Sequence, residues 1–185
     1  MNNKIDVIIL VGFMGTGKST IGKLLAQKVG FSFTDTDSRL ELEQNTTVPE
    51  LFERLGEARF RELETDALLR VLTERGQVIA TGGGVVLAEV NRKAMLDAGF
   101  VVALKADKQT IIDRVSEDKG RPLLQGNVEE RVSALLEARK TAYDFADLIV
   151  DTTGLSTDEV VNILSSHIFP LKHAAGHIFQ SGKSD

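Results

Sequence analysis

The chain has 185 residues, 42% of them hydrophobic and 26% charged, a size and balance that suit one domain with a sizeable core. Its 22 basic and 27 acidic side chains leave a net charge of -5, which excludes an overall basic field for nucleic acid and makes any anion site local. The absence of cysteine excludes disulfides, thiolate metal centres and cysteine nucleophiles, and suits a reducing cytoplasm.

Along the chain, short β-branched runs alternate with amphipathic or capped segments, which predicts a layered α/β fold. The first run, Val7 to Val11, follows Lys4 and Asp6 and is too short for a membrane span or a signal peptide, so we expect a cytoplasmic protein. Directly after it comes GFMGTGKST, in which Gly12, Gly17, Lys18 and Ser19 satisfy the spacing GxxxxGK(S/T). The helical pattern Ile21, Leu24, Leu25 follows, the context that such a loop requires. Glycines let successive backbone N–H groups turn toward phosphate oxygens, and the helix N-terminus adds partial positive charge. Lys18 supplies a point charge, and Ser19 has the hydroxyl to reach Mg²⁺. We therefore expect Gly12, Met14, Gly15, Thr16, Gly17, Lys18, Ser19 and Thr20 to bind a nucleoside triphosphate. The stretch NKID at Asn3 to Asp6 has a guanine-reading spelling, but it precedes the loop and cannot reach a base beyond the strand ends. DTTG at Asp151 to Gly154 lies too far downstream for a γ-phosphate switch.

The second run, FSFTDTD, places Asp35 and Asp37 on the strand parity of Phe31 and Phe33. Two carboxylates on an apolar face are costly, so the strand should end near them, bringing both to the crevice where Mg²⁺ and an acceptor hydroxyl would lie. A plain Asp cap before SRLELE accounts for one of the two. Helix starts are also marked by Thr47 before Glu50, Asn127 before Glu130 and Ser156 before Glu159. Between Gly56 and Gly76 the positions Phe60, Leu63, Ala67, Leu68, Val71 and Leu72 follow helical spacing, with Gly76 expected to stop the helix. Arg61 sits beside that stripe with Glu57 four residues before and Glu64 three after, which taken alone reads as a surface ion-pair ladder.

The third run, QVIA, leads into Thr81 and the glycines Gly82, Gly83 and Gly84, where either a tight turn or a close-approach floor for a substrate is expected. After the fourth run, FVVALKA, the stretch KGRPLL carries Arg121 in a loop, and LLEARKTAY carries Arg139. The fifth run, DLIVD, is followed by a helical pattern and then, beyond Lys172, by an aperiodic stretch expected to be a loose tail. His173 and His177 lie four apart in it and have no third ligand for a metal.

Taken in order, GFMGTGKST, DTD, GEARFRELE, ATGGG, GRPLL and ARKTAY resemble the signature blocks of the shikimate kinases, from about Lys4 to Lys172. The resemblance implies a three-layer sandwich with a five-stranded parallel sheet, like that of the nucleoside monophosphate kinases, as one domain over residues 1–172 with a lid near 116–127. It implies ATP-dependent phosphorylation of the 3-hydroxyl of shikimate, in aromatic amino-acid biosynthesis. By matching position, Lys18 would bind the β- and γ-phosphates, Ser19 the Mg²⁺, and Asp35 that metal through water. Asp37 would accept a hydrogen bond from the attacking hydroxyl. Arg61, Arg139 and the backbone around Gly82, Gly83 and Gly84 would hold the rest of shikimate, with Glu64 orienting Arg61 and with Phe52 and Phe60 walling the ring. Arg121 would reach the transferring phosphoryl from the lid, and Arg114 would flank adenine. Many relatives have an adenine-packing proline after the last strand; DTTGLSTDE has none, which assigns that task to Thr157 or its neighbours. We expect a monomer with ATP and shikimate as partners, Mg²⁺ as cofactor, and no nucleic-acid or membrane partner. The competing readings are another small-metabolite kinase, such as a gluconate kinase, a non-catalytic nucleotide-binding module, and a nucleic-acid ATPase, which the acidic balance disfavours.

Overall fold

The computed structural model describes residues 5–116 and 127–173. Arg121, the interior of the expected lid, His177 with the tail from residue 174, and the first half of NKID, Asn3 and Lys4, lie outside the described residues. In chain order the elements are β1 (Val7–Gly12), α1 (Lys18–Val29), β2 (Ser32–Asp35), α2 (Thr36–Gln44), α3 (Val48–Val71), β3 (Gln77–Ala80), a 3-10 turn (Val85–Leu87), α4 (Glu89–Ala98), β4 (Phe100–Lys105), α5 (Lys108–Ser116), α6 (Val128–Ala138), β5 (Leu148–Asp151) and α7 (Thr157–His173). Each strand falls within one of the five β-branched runs.

The strands form one parallel sheet in the order β2-β3-β1-β4-β5. β1 is central and every one of its residues is buried, which is why it reads as an unbroken apolar run and not as an alternation. Its two parities feed two cores. Ile8 and Leu10 pack with Ile21 and Leu25 of α1 and Val160 and Leu164 of α7, whereas Val7, Ile9 and Val11 pack with Leu68 and Val71 of α3 and Met95 of α4. The result is helix, sheet, helix: the expected three layers.

Strand register gathers the site. Leu10 pairs with Ala80 and Ala80 with Asp35, so β1, β3 and β2 run out together. Their exits, the glycine loop, the glycine triplet and the aspartate pair, all open at one edge, beside the place where the connection from β1 runs one way to β2 and the connection from β3 runs the other way to β4.

Three local expectations change. Asp35 ends β2, but helix α2 begins at Thr36, so Asp37 leaves the strand parity it was read on and sits in the first turn of a helix. Helix α3 ends at Val71, before Gly76 is reached; Gly76, with φ 67°, instead turns the chain into β3. The same helix is broken at Gly56 (φ 73°, ψ 167°), which separates the arm started by Thr47 from the arm that carries Arg61. Residues 52 and 60 would be separated by about 12 Å of rise in a straight helix. The break lets the rings of Phe52 and Phe60 approach to 5.2 Å.

The caps at Thr47, Asn127 and Ser156 form as read. Thr47 Oγ1 accepts from the N–H of Glu50 while the Glu50 carboxylate accepts from the N–H of Thr47, a complete capping box. Thr47→Ala removes one half of that exchange and is expected to lower stability by about 1 kcal/mol in urea unfolding, with the denaturant slope unchanged.

Candidate active site

The loop between β1 and α1 takes its shape from backbone that other residues would strain. Gly17, immediately before α1, is left-handed (φ 89°, ψ 13°), which points the first turn of the helix into the crevice. Lys18 is buried, and its Nζ donates to the carbonyls of Gly12 (2.9 Å) and Phe13 (3.0 Å), so the ammonium is held across the mouth of the loop. Thr16 is fully buried and its hydroxyl donates to the Phe13 carbonyl at 2.8 Å. Its side chain therefore braces the loop from inside.

Asp35 does two things with its two oxygens. Oδ1 accepts from the N–H groups of Asp37 (3.0 Å) and Ser38 (3.3 Å), capping α2, while Oδ2 accepts from the Ser19 hydroxyl at 2.6 Å. The cap reading holds for this residue, and its second oxygen is turned to the Ser19 hydroxyl. Asp37, in the first turn of α2, lies on the wall of a cavity of about 420 Å³ shared with Met14, Gly15, Gly17, Lys18, Ser19, Thr20, Asp35 and Gly83. Burial pushes its carboxyl up to about 7, reinforced by the negative charges of Glu64, Asp35 and Glu41 and opposed by Lys18.

The glycine triplet leaves room for charge. A Cβ on Gly82 would stand 2.6 Å from Glu64 Oε1 and 2.7 Å from Asp37 Oδ1, and one on Gly84 would lie inside the Arg61 guanidinium. Close approach does occur on this stretch, and the groups that make it are the chain's own charged side chains. Arg61 Nη1 donates to Glu64 Oε2 at 2.7 Å and Nη2 to Glu57 Oε1 at 3.2 Å. Burial works to lower the Arg61 pKa; the carboxylates of Glu64 and Glu57 outweigh it and hold the guanidinium above its ordinary value. Glu64 is buried, and desolvation raises its carboxyl against the pull of Arg61 and Arg139. The ladder that the spacing suggested exists, but it is turned inward, and its Glu64 end is 3% exposed.

Arg139, 5% exposed at the end of α6, reaches the same crevice from the opposite side. Its guanidinium lies 5.9 Å from the centroid of the Phe13 ring, and its Nη1 points at the Gly83 carbonyl. On the far side of the phosphate loop, Arg114 Nη1 donates to the Gly15 carbonyl at 3.1 Å. There Arg114, Thr152, Leu155 and Thr157 line a second cavity of about 230 Å³ with Thr16, Gly17 and Thr20.

Phe60 is 3% exposed, packed among Leu40, Leu51 and Ala67, and the Arg61 guanidinium lies 5.4 Å from the centroid of its ring. Phe52 is half-buried against it. Sequence reasoning missed Glu41, Phe13 and Tyr143. Glu41 follows Asp37 by one helical turn, a spacing that was there to be read; it lines the larger cavity and accepts from the N–H of Val48 at 2.9 Å. Phe13 and Tyr143 carried no local signal, since their partners are far away in the chain.

With this geometry in hand, likeness to known proteins can be weighed. A family model described as shikimate kinase matches residues 14–168. The shikimate kinase of Geobacter sulfurreducens is 46% identical over 162 residues, which cover 87% of this chain and 90% of that one. Among solved structures, a shikimate kinase from Acinetobacter baumannii in complex with shikimate superposes with a TM-score of 0.87 at 34% identity, covering 92% of this chain and 96% of that one. A gluconokinase from Sinorhizobium meliloti, at 16% identity and a TM-score of 0.61 over 96% of this chain and 98% of its own, shares the fold alone.

The Asp37 carboxyl sets a pH dependence that needs no ligand to observe. Its folded pKa of about 7 lies above the ordinary 3.8, so the folded state holds this proton more tightly than the unfolded chain. Its contribution to stability is present below the unfolded value and is lost as pH rises through 7. Asp37→Asn is therefore expected to stabilise the fold by about 2 kcal/mol near pH 8, allowing for partial exposure, with the difference closing near pH 4. Thermal unfolding of both proteins across that range measures it.

Proposed function

The chain belongs to the shikimate kinase family, and from that premise we propose that its crevice transfers the γ-phosphoryl group of ATP to the 3-hydroxyl of shikimate, a step toward the aromatic amino acids. It is an ATP-dependent phosphotransferase of the α/β phosphate-loop class. The observation that carries the assignment of roles is the meeting of Asp37, Arg61 and Glu64 on the glycine triplet, beside the loop that holds Lys18.

The reading assigns the triphosphate to the N–H groups of residues 14–20 and to Lys18, with the base toward the cavity of Arg114 and Thr157. Ser19 and Asp35 offer a hydroxyl and a carboxylate oxygen to the same cavity, hard donors that suit Mg²⁺, which keeps water and phosphate oxygens as its remaining ligands. They would hold it, and its charge offsets that of the phosphates. Shikimate brings one carboxylate and three hydroxyls. The planar forks of Arg61 and Arg139 suit the carboxylate, and Phe13, Phe60 and Glu64 keep those forks from turning away.

Asp37 takes the proton of the attacking hydroxyl as the new O–P bond forms and the bond to ADP breaks. A carboxyl poised near 7 is matched to that exchange at neutral pH: it is ionised in a good fraction of molecules yet basic enough to accept. Positioning and charge provide most of the acceleration, because the phosphoryl transition state is loose.

A coupled assay of ADP release is the direct test: ATP turnover is expected with shikimate and not with gluconate, and the reverse pattern would move the chain to the competing kinase class. Lys18→Met is expected to abolish phosphoryl transfer in the same assay. Arg61→Ala is expected to weaken shikimate binding by about 2 to 4 kcal/mol, because a desolvated carboxylate loses its partner. Titration calorimetry reads that loss, and unchanged affinity would remove Arg61 from the substrate site.

A further inference from the structure

Tyr143 is the single tyrosine of the chain, which has no tryptophan. It follows Arg139 by four residues, in the turns between α6 and β5, and is 5% exposed, packed with Val85, Val86 and Met95 beneath the glycine triplet. Its hydroxyl donates to the carbonyl of Gly83 at 2.8 Å, and Arg139 Nη1 approaches the same oxygen at 3.4 Å. These two donors are unequal. An O–H···O bond of 2.8 Å is of ordinary strength, whereas 3.4 Å is long for an N–H···O bond.

That inequality matters because Gly83 lies between two fixed neighbours. The N–H of Gly82 donates to Thr36 Oγ1 at 3.2 Å, and Gly84 accommodates the Arg61 guanidinium. A rotation of the Gly83 peptide would disturb both. A guanidinium that turns toward a substrate carboxylate gives up its hold on the Gly83 carbonyl, and a partly buried carbonyl left without a partner costs free energy or moves to find one.

We propose that Tyr143 is a positioning residue for the phosphoryl-transfer reaction: it is the standing partner of the Gly83 carbonyl, and so frees Arg139 to pair with the substrate carboxylate while the glycine triplet stays in place. The proposal rests on the reading that Arg139 takes that carboxylate. Without the hydroxyl, Arg139 becomes the main donor to Gly83, and substrate must compete for it. The burden falls on shikimate binding, since the nucleotide side has no part in this contact.

Steady-state kinetics of the full chain carrying Tyr143→Phe test this. The shikimate KM is expected to rise roughly tenfold, with the ATP KM within about twofold and kcat within about threefold of the unaltered protein. A purely structural role would lower kcat or raise both KM values together, and that result would overturn the proposal. Arg139→Lys measured alongside separates the two levels of inference. If it raises the shikimate KM while Tyr143→Phe leaves it unchanged, Tyr143 has no positioning role and the substrate reading stands; if neither moves it, the reading of Arg139 fails and takes the proposal with it. Should Tyr143→Phe fail to fold, the unaltered protein decides, because its tyrosine emission comes from this side chain alone. Shikimate is expected to change that emission as Arg139 leaves Gly83, whereas a spectrum unmoved at saturating shikimate would overturn the proposal.

Discussion

The constraint on which the site depends is steric before it is electrostatic: charged side chains from two helices approach a backbone that has no Cβ in their way. Asp37 from α2 and Glu64 from α3 converge on Gly82, and Arg61 lies against Gly84. Any side chain at these two positions would displace a carboxylate or a guanidinium. Once the backbone admits them, their charges decide the chemistry. Glu64 anchors Arg61, Arg61 and Arg139 keep Glu64 from becoming an uncompensated buried anion, and Asp37, which makes no such ion pair among the described residues, has its proton affinity raised.

This arrangement explains how a carboxyl near neutrality stands close to the buried ammonium of Lys18. Asp35 and Asp37 are only two residues apart, yet one ends a strand and the other sits in the first turn of a helix. Asp35 distributes its charge over two backbone N–H groups and the Ser19 hydroxyl. Asp37 faces Glu64 and Glu41 across a partly desolvated cavity, with Lys18 as the opposing charge. Two carboxyls with different surroundings have different proton affinities, which is what the roles proposed for Asp35 and Asp37 require.

The sheet supplies the rigidity. Because β1 is buried along its whole length and flanked by β3 and β4, the glycine loop leaves the most constrained strand in the molecule. Cross-links then tie the loop to the substrate side: Phe13 lies beneath Arg139, Lys18 spans the carbonyls of Gly12 and Phe13, and Tyr143 fastens Gly83. These contacts anchor the loop after β1 and the glycine triplet on neighbouring stretches of backbone.

The amino-acid sequence alone determined what is local in cause. Unbroken apolar runs specify buried parallel strands because both faces of such a strand are covered, Ser/Thr/Asn followed by Glu specifies a helix start because it satisfies free N–H groups, and GFMGTGKST specifies a phosphate loop because its glycines permit the turn. The motif blocks likewise carried the family. Tertiary structure decided whatever depends on partners distant in the chain. Arg61 read alone as a solvated ladder, and only the close approach of Gly84, the burial of Glu64 and the Phe60 ring beneath it draw its guanidinium partly inside. Tyr143 and Phe13 had no pattern to announce them, since a hydrogen bond across 60 residues and a ring under a guanidinium leave no periodicity in a single chain.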